Sequence, residues 1–203
     1  MILAKLVIMK PVVTFLILMN TMFCVGQDSC YSRPLLDPLS ITRNSDSVTM
    51  LLKEYTQGFT GCKAPNLDCT TLTGQHFTTE KLSGKVTVLN FWFTHCKPCV
   101  AEFASLNKLV DEYSQQGVQF ISFAMDKQAV LDTFLVTHPF KYGVVPAANS
   151  VMGDFKICSY PTSVVLDKDW HVVQMVTGGE GEETQMKNYK RLKIFIDKAL
   201  GKL

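Results

Sequence analysis

An apolar run that leads directly into two closely spaced cysteines constrains this chain more than any other feature. Residues 86–93 are mostly β-branched or aromatic, which is typical of a strand buried on both faces in the middle of a sheet. The sequence Cys96-Lys97-Pro98-Cys99 follows, and apolar residues then recur at helical spacing until Gly117. The pattern predicts a central strand, a cysteine pair at the strand-to-helix junction, and a helix over residues 97–116.

The spacing of these two cysteines suits reversible disulfide chemistry. Residues three apart on a helix lie on one face about 5–6 Å apart, which is within the Cα span of a disulfide. Cys96 would begin the helix, where unpaired N–H groups and the positive end of the dipole stabilise a thiolate. Such sites lower a thiol pKa from about 8.5 to roughly 3.5–7.5. Lys97 adds a positive neighbour, and Pro98 fits the first helical turn.

Other uses of a Cys-x-x-Cys pair fit this chain less well. A structural zinc site needs two more ligands, and Cys62 and Cys69 are too widely spaced to form a second tight pair. Haem attachment needs a histidine directly after the second cysteine, where this chain has Val100, so it is excluded. An inert, permanently closed disulfide stays open as an alternative, although the proline at a strand-to-helix junction favours active exchange.

The first 26 residues have the order of a secretory signal peptide. Lys5 and Lys10 precede a short apolar stretch over residues 12–19, and small Gly26 follows. An uncleaved membrane anchor or a buried element of the fold are the alternatives. Cleavage would leave six of the seven cysteines in an oxidising compartment, where disulfides persist. We therefore expect an extracytoplasmic protein, either periplasmic or secreted, which a retained signal would tether to a membrane.

The rest of the chain divides into an N-terminal extension over residues 27–60 and one domain over residues 61–203. The extension is polar and contains prolines up to about residue 47, after which a short helix is expected. The domain follows the order of a three-layer α/β fold. Its expected elements, besides the central strand and helix, include a strand pair, or a strand and a short turn, over 67–72 and 77–82. They continue with a strand over 118–124, a helix over 127–137, hairpin strands over 164–167 and 172–176, and a closing helix over 186–200.

Composition excludes several functional classes. Apolar residues make up 47% of the chain and charged residues 19%, which excludes disorder for most of it. The 20 Lys and Arg exceed the 18 Asp and Glu only by the two leader lysines, so the body is neutral and nucleic acid is not an expected partner. A glycine-rich phosphate loop is missing, and no apolar run reaches the ~20 residues of a comfortable membrane span.

Two segments, residues 90–103 and Tyr160-Pro161-Thr162, resemble the exported thioredoxins of the TlpA and ResA type, which are AhpC/TSA-like redoxins. The resemblance covers roughly residues 61–200. It implies a thioredoxin-like fold with an extra N-terminal strand pair and a central insertion. It also implies that Cys96 attacks a target disulfide and that Cys99 resolves the mixed disulfide. No cofactor and no metal are expected.

Glu102 matches an acidic residue of this family three positions after the second cysteine. Because Cys99 and Glu102 share a helix face, a partly buried carboxylate could take the proton of the resolving thiol. A solvent-facing glutamate in the first helical turn is the alternative. Asn90 matches a position at which cytoplasmic thioredoxins share a buried aspartate. Because this chain has an amide there, Glu102 is the better candidate for accepting the proton.

Pro161 matches the family's cis-proline, which faces the cysteine pair and leaves the preceding backbone free to pair with a substrate. The cis form is implied by the resemblance, since only about 5–6% of X-Pro bonds in folded proteins are cis. His95 departs from the family, which usually has tryptophan just before the first cysteine. We expect an exposed turn residue there, and its effect on partner choice is open.

The resemblance implies a thiol-disulfide oxidoreductase with partners outside the cytosol. Family members are mostly reductants that a membrane electron donor recharges through a thiol–disulfide relay, and they often serve cytochrome c maturation. Disulfide-containing exported proteins are therefore the expected substrates. The residues themselves do not fix the direction, because a change of about 30 mV in potential shifts the exchange equilibrium tenfold.

Three functions of other classes remain as alternatives. A peroxiredoxin-like peroxidase would carry a Thr-x-x-Cys motif, but Thr94 is only two residues before Cys96. A copper-delivering thioredoxin-like protein would have three residues between its cysteines, where this chain has two. A non-catalytic assembly domain would have a Cys96 no more reactive than a model thiol.

The remaining cysteines allow several pairings. Cys30, Cys62, Cys69 and Cys158 permit three complete pairing schemes. A Cys62–Cys69 bridge would need a bend, for which Ala64-Pro65-Asn66 is suitable, and we state it as the expected pair. Cys158 should lie near the active surface as an accessory thiol or, more simply, a small buried residue. His76, His138 and His171 are expected to be ordinary surface residues.

The leader predicts the N-terminus of the mature protein. We expect protein isolated from its native source to begin near Gln27, because the signal peptide is removed on export. N-terminal sequencing checks this, and a sequence that begins at Met1 would contradict cleavage.

Overall fold

The computed structural model describes residues 30–32, 45–179 and 181–203. The signal-peptide prediction therefore lies outside the described residues. The helices are α1 (Ser45–Gln57), α2 (Thr79–Leu82), α3 (Lys97–Tyr113), α4 (Gln128–Thr137), α5 (Asn149–Asp154) and α6 (Glu182–Ala199), and a 3₁₀ turn (Ser114–Gln116) extends α3. The strands are β1 (Asp68–Thr70), β2 (His76–Thr78), β3 (Thr87–Trp92), β4 (Gln119–Ala124), β5 (Gly143–Val145), β6 (Thr162–Leu166) and β7 (Val172–Thr177).

Five strands form the main sheet in the order β5-β4-β3-β6-β7, with β3 at its centre. β3 pairs in parallel with β4 and antiparallel with β6, so Phe91 lies between Phe123 and Thr162. Every residue of β3 is buried, as its apolar sequence predicts for a strand covered on both faces. β1 and β2 form a separate antiparallel pair, which is the extra N-terminal strand pair that the resemblance implies.

Helices cover both faces of the sheet. Val88 points toward α3 and α6, where it packs in a cluster with Leu106 and Ile196. Leu89 and Phe91 point to the opposite face and share a cluster with residues of α5 and of the β1–β2 pair. The alternation follows from the twofold repeat of a strand. The result is the three-layer, thioredoxin-like α/β architecture that the order of elements predicts.

The structure confirms most expected elements, corrects one expected strand and adds two elements that the sequence pattern did not predict. α3 runs to Tyr113 and its 3₁₀ extension to Gln116, and Gly117 follows at φ +81°, a conformation that favours glycine as a helix terminator. The strand expected over 77–82 is wrong in its second half, because Thr78 caps α2 by accepting a hydrogen bond from the Lys81 N–H. The sequence pattern also did not predict β5 and α5, which lie between α4 and β6.

The predicted Cys62–Cys69 disulfide is wrong. Cys62 bonds to Cys30, and Cys69 is a buried free thiol. Cys69 lies in β1 opposite Phe77, and its side chain belongs to the core cluster. Cys62 is held elsewhere, because its carbonyl accepts a hydrogen bond from the Val172 N–H at 2.9 Å. Cys69 thus lies in β1, whereas Cys62 is hydrogen-bonded to the first residue of β7.

The last part of the N-terminal extension packs on the domain. α1 confirms the short helix expected there, and Phe59 just beyond it is fully buried. The Cys30–Cys62 bond brings Tyr31 against Phe59 and Phe155, at ring-centroid distances of 5.1 and 6.4 Å. Within the described part of the chain, every helix is too short or too polar to cross a bilayer.

The Cys30–Cys62 bond should contribute strongly to stability. It joins residues 32 apart in sequence, so its loss would free a long loop in the unfolded chain. We expect the double substitution Cys30→Ser, Cys62→Ser to lower the free energy of unfolding by roughly 3–4 kcal/mol, measured by denaturant titration. Cys158→Ser is the matched control and should cost much less. An unchanged unfolding midpoint in the double variant would contradict this role.

Candidate active site

The cysteine pair lies at the predicted junction between the central strand and the long helix. Cys96 and Cys99 are joined by a disulfide with a Cα–Cα distance of 5.2 Å. Cys96 is the N-cap of α3, and its Sγ accepts a hydrogen bond from the Cys99 N–H at 3.3 Å. This bond and the positive end of the helix dipole stabilise negative charge on the Cys96 sulfur after reduction. Pro98 occupies the first turn, where its missing N–H leaves no hydrogen bond unmade.

The turn before Cys96 is fixed by a carboxylate at the end of the neighbouring strand. Asp126 accepts two hydrogen bonds from Thr94, one from the backbone N–H at 2.7 Å and one from the hydroxyl at 2.8 Å. The Cys96 N–H then donates to the Phe93 carbonyl at 3.0 Å. The Thr94 hydroxyl is thus directed toward Asp126.

The two sulfurs have different surroundings. Cys96 is 6% exposed and lines an open cleft of about 470 Å³ together with Phe93, Lys97, Pro98 and the segment 158–160. Cys99 is 1% exposed and is not part of the cleft lining, although both cysteines share a cluster with Trp92 and Phe103. Cys96 is therefore the cysteine of the pair that lies at the cleft. This asymmetry is the one that a nucleophile and a resolving thiol require.

Glu102 is buried behind the cysteine pair. Only 4% of it is exposed, which overturns the alternative of a solvent-facing glutamate. Burial raises the pKa of its carboxyl group to about 7, and a hydrogen bond from the Asn188 amide to Oε1, at 3.0 Å, partly opposes this rise. A carboxyl group that titrates near neutrality is suited to exchange a proton with a thiol. Its catalytic role stays a prediction.

Pro161 follows Tyr160 through a cis peptide bond, as the resemblance implies. It is buried, and its carbonyl accepts a hydrogen bond from the Gly178 N–H at 2.7 Å. The Tyr160 ring packs edge-on against Phe93 at a centroid distance of 5.5 Å, so the proline loop and the strand end form one wall of the cleft. Pro161 is therefore part of the site's frame, and its contact with substrate stays a prediction.

Cys158 and His95 line the same cleft as Cys96. Cys158 is a half-buried free thiol, and burial raises its pKa, so it is less nucleophilic than an ordinary thiol near neutrality. His95 is exposed, and its Nδ1 is 3.1 Å from the Thr94 hydroxyl oxygen. Both positions agree with the sequence expectations, which placed Cys158 near the active surface and His95 in an exposed turn.

The other candidate residues lie apart from the cleft or serve packing. Asn90 is buried in the central strand, and its amide donates to the Ser163 hydroxyl at 3.1 Å. His76 and His171 contact Asp68 and Asp167. Over the described ranges, no three Cys, His, Asp or Glu side chains gather into a site that could hold a metal ion.

Two residues that contact Glu102 were not predicted from the sequence. They are Asn188 and Gly178. Asn188 lies on the buried face of α6 in line with Leu192 and Ile196. The signal was available, because Asn188 lies four and eight positions before the apolar residues Leu192 and Ile196 and so falls on the apolar stripe of the helix. Gly178 follows β7 and gave no local signal, since only the folded chain brings it to Pro161 and Glu102.

Comparison with known proteins places this geometry in a family. The AhpC/TSA family model matches residues 60–175, which include the cysteine pair, Glu102 and Pro161. The chain belongs to the AhpC/TSA family. It is similar to the thiol-disulfide oxidoreductase ResA of Bacillus cereus, with 33% identity over 131 residues, 64% of this chain and 75% of the relative. The family member described here is a thioredoxin-like thiol-disulfide oxidoreductase.

Solved structures share the fold of this AhpC/TSA family member. A Chlorobium tepidum protein described as a thiol:disulfide interchange protein DsbE superposes with a TM-score of 0.62 at 24% identity, over 70% of this chain and 97% of that one. A secreted Mycobacterium tuberculosis disulfide oxidoreductase superposes with a TM-score of 0.54 at 22% identity, over 63% of this chain and 95% of that one. At these identities the likeness shows the thioredoxin-like fold.

The burial of Glu102 predicts a pH-dependent loss of stability. Because the folded state raises its pKa from 4.5 to about 7, its contribution is fully present below pH 4.5 and is lost as pH rises through 7. We expect the oxidised protein to lose about 3 kcal/mol of unfolding free energy between pH 4.5 and 8 through this group, and Glu102→Gln to remove that loss. Denaturant titrations at both pH values measure it.

The exposed Glu54 supplies the control for this prediction. Glu54→Gln removes a carboxylate from the exposed face of α1 and should leave the pH dependence of stability as it is in the wild type. If the free energy of unfolding falls by the same amount in Glu102→Gln and in the wild type between pH 4.5 and 8, the prediction that folding raises the pKa of Glu102 is wrong.

Proposed function

We propose that this protein reduces disulfide bonds of exported proteins outside the cytosol, using the Cys96–Cys99 pair in its dithiol form. The observation that carries the proposal is the asymmetry of the pair. Cys96 caps α3 and opens on the cleft, whereas Cys99 is buried beside it and three residues before buried Glu102. An inert structural disulfide has no need of a stabilised thiolate at a cleft.

The reaction is a pair of thiol–disulfide exchanges. The Cys96 thiolate attacks one sulfur of a substrate disulfide, so a mixed disulfide forms and the other substrate sulfur leaves as a thiolate. Cys99 then loses its proton to Glu102 and attacks Cys96, which releases the second substrate thiol. The substrate gains two electrons, and the enzyme is left with the Cys96–Cys99 disulfide seen in the structure.

The oxidised enzyme needs a dithiol donor to begin another cycle. We propose a membrane electron donor of the thiol–disulfide relay type, which becomes oxidised as the Cys96–Cys99 bond is reduced. The 470 Å³ cleft beside Cys96 is open, so donor and substrate can use the same sulfur in turn. The resemblance to ResA-type proteins supports this cycle and a role in cytochrome c maturation.

The proposed location has two supports. Cys30 and Cys62 form a disulfide far from the redox pair in sequence, and such structural bonds persist in oxidising compartments. A structurally similar disulfide oxidoreductase of Mycobacterium tuberculosis is secreted. Together with the signal-like N-terminus, these favour a periplasmic or secreted protein, which an uncleaved leader would tether to a membrane.

A glutathione redox titration of the Cys96–Cys99 pair tests the direction of transfer. We expect a midpoint potential below about −230 mV, on the reducing side of the range that thioredoxin-like proteins span. Alkylation of the two thiols followed by mass spectrometry gives the oxidised fraction at each ratio. A potential near −120 mV, typical of a strong oxidant, would contradict a reductase.

Trapping of mixed disulfides tests the assignment of the two sulfurs. Cys99→Ser should accumulate covalent complexes through Cys96, because the resolving thiol is gone. Cys96→Ser is the matched control and should accumulate none, since Cys99 is not part of the cleft lining. Complexes on non-reducing gels that appear with both variants, or with neither, would contradict the proposed roles.

A further inference from the structure

We propose that Asn188 is a positioning residue of the exchange reaction, which holds the Glu102 carboxylate in place to accept the proton of Cys99. Gly178 keeps the space for that carboxylate open beside Pro161. The inference rests on the proposed function, because it concerns the step in which Cys99 resolves the mixed disulfide.

Asn188 is placed where a polar side chain needs a specific partner. It lies on the inner face of α6 in line with Leu192 and Ile196, and only 5% of it is exposed. A buried amide without hydrogen bonds would destabilise the fold by roughly 1–3 kcal/mol. An apolar side chain could fill this position without that cost. The hydrogen bonds of the Asn188 amide are therefore the reason for a polar residue here.

The Asn188 amide makes two donor contacts that fix its orientation. Its Nδ2 donates to Glu102 Oε1 at 3.0 Å and to the Thr177 carbonyl at 3.4 Å. Because the carbonyl of Thr177 can only accept, it keeps the amide nitrogen on the side of Glu102. The carboxylate therefore faces a donor, which favours its ionised, proton-accepting form.

Gly178 brings the proline loop and the carboxylate close together. A Cβ at this position would lie 2.3 Å from Pro161 Cγ and 2.7 Å from Glu102 Oε1, distances that would force one of them to move. The Gly178 N–H also donates to the Pro161 carbonyl at 2.7 Å. The absence of a side chain at Gly178 thus lets the Glu102 carboxylate, the Asn188 amide and the Pro161 loop lie close together.

Few titratable groups face the Glu102 carboxyl. Cys99 lies one helical turn before it on α3, and Tyr142, just before β5, interacts with it electrostatically. Burial keeps Tyr142 neutral by raising its pKa well above the ordinary value. The remaining neighbours, Asn188 on α6 and Gly178 and Pro161 in the loops, do not titrate. Asn188 is thus the neutral donor that can tune this group.

A two-step exchange separates the contributions of the two thiols. Reduced protein carrying Cys158→Ser is mixed with one equivalent of dithiobis-nitrobenzoate, and the released nitrothiobenzoate is followed by stopped-flow absorbance from pH 5 to 9. The first equivalent leaves when Cys96 attacks the reagent. The second leaves when Cys99 gives up its proton and attacks Cys96, so only the second phase depends on Glu102.

We expect Asn188→Leu to slow the second phase about fivefold at pH 7 and to raise its pH midpoint by about one, with the first phase unchanged. Loss of a hydrogen bond to a charged group leaves more of Glu102 protonated, and a rise of one unit from a midpoint near 7 lowers the ionised fraction at pH 7 from about one half to about one eleventh. Asn188→Val also removes the amide donor and should shift the midpoint in the same direction. Asn107→Leu, which removes an amide bonded to the Pro139 carbonyl, is the matched control and should change neither phase.

A double-variant comparison decides whether Asn188 acts through Glu102. In a Glu102→Gln background, Asn188→Leu should have no further effect on the pH profile of the second phase. A midpoint that stays at the wild-type value in both Asn188 variants, or that shifts equally in the Glu102→Gln background, would overturn the inference. A wild type that never releases the second equivalent would instead overturn the proposed function, and the inference with it.

Discussion

The hydrogen bond from the Cys99 N–H to the Cys96 sulfur is the contact on which the function of this protein depends. It exists because Cys96 is the N-cap of α3, and Cys96 is the N-cap because β3 ends four residues earlier in the centre of the sheet. The strand is buried on both faces and the turn is pinned by Asp126, so the sulfur has a fixed position at the positive end of the helix. Sheet, turn and helix together place the Cys96 sulfur where a thiolate is stabilised.

The surroundings of Cys99, the second cysteine, are built by a different set of elements. Glu102 is on the same helix, but its partners come from the end of β7 and from α6, more than 70 residues later in the chain. Burial makes Glu102 harder to ionise and Asn188 makes it easier, and the balance leaves its pKa at about 7. The surroundings of the Cys96 sulfur thus depend on local helix geometry, whereas those of Glu102 depend on tertiary packing.

This division explains how much could be predicted from the sequence. The central strand, the long helix, the cysteine pair and the final helix have strong local patterns, and the structure confirms them. The Cys62–Cys69 pair was wrong because proximity in sequence ignores the strand pairing, which directs Cys69 into the core. Asn188 and Gly178 escaped notice because their partner, Glu102, is distant in sequence, and only the sheet order brings them together.

The reactivity of Cys96 is the central claim, and its thiol pKa tests it most directly. After reduction, the rate of alkylation of Cys96 by iodoacetamide, followed by mass spectrometry across pH 4 to 10, gives the midpoint of thiolate formation. The account predicts a midpoint below about 7.5, because the helix N-terminus and the Cys99 N–H stabilise the thiolate. A midpoint near 8.5, with a rate no higher than that of a model thiol, would contradict it.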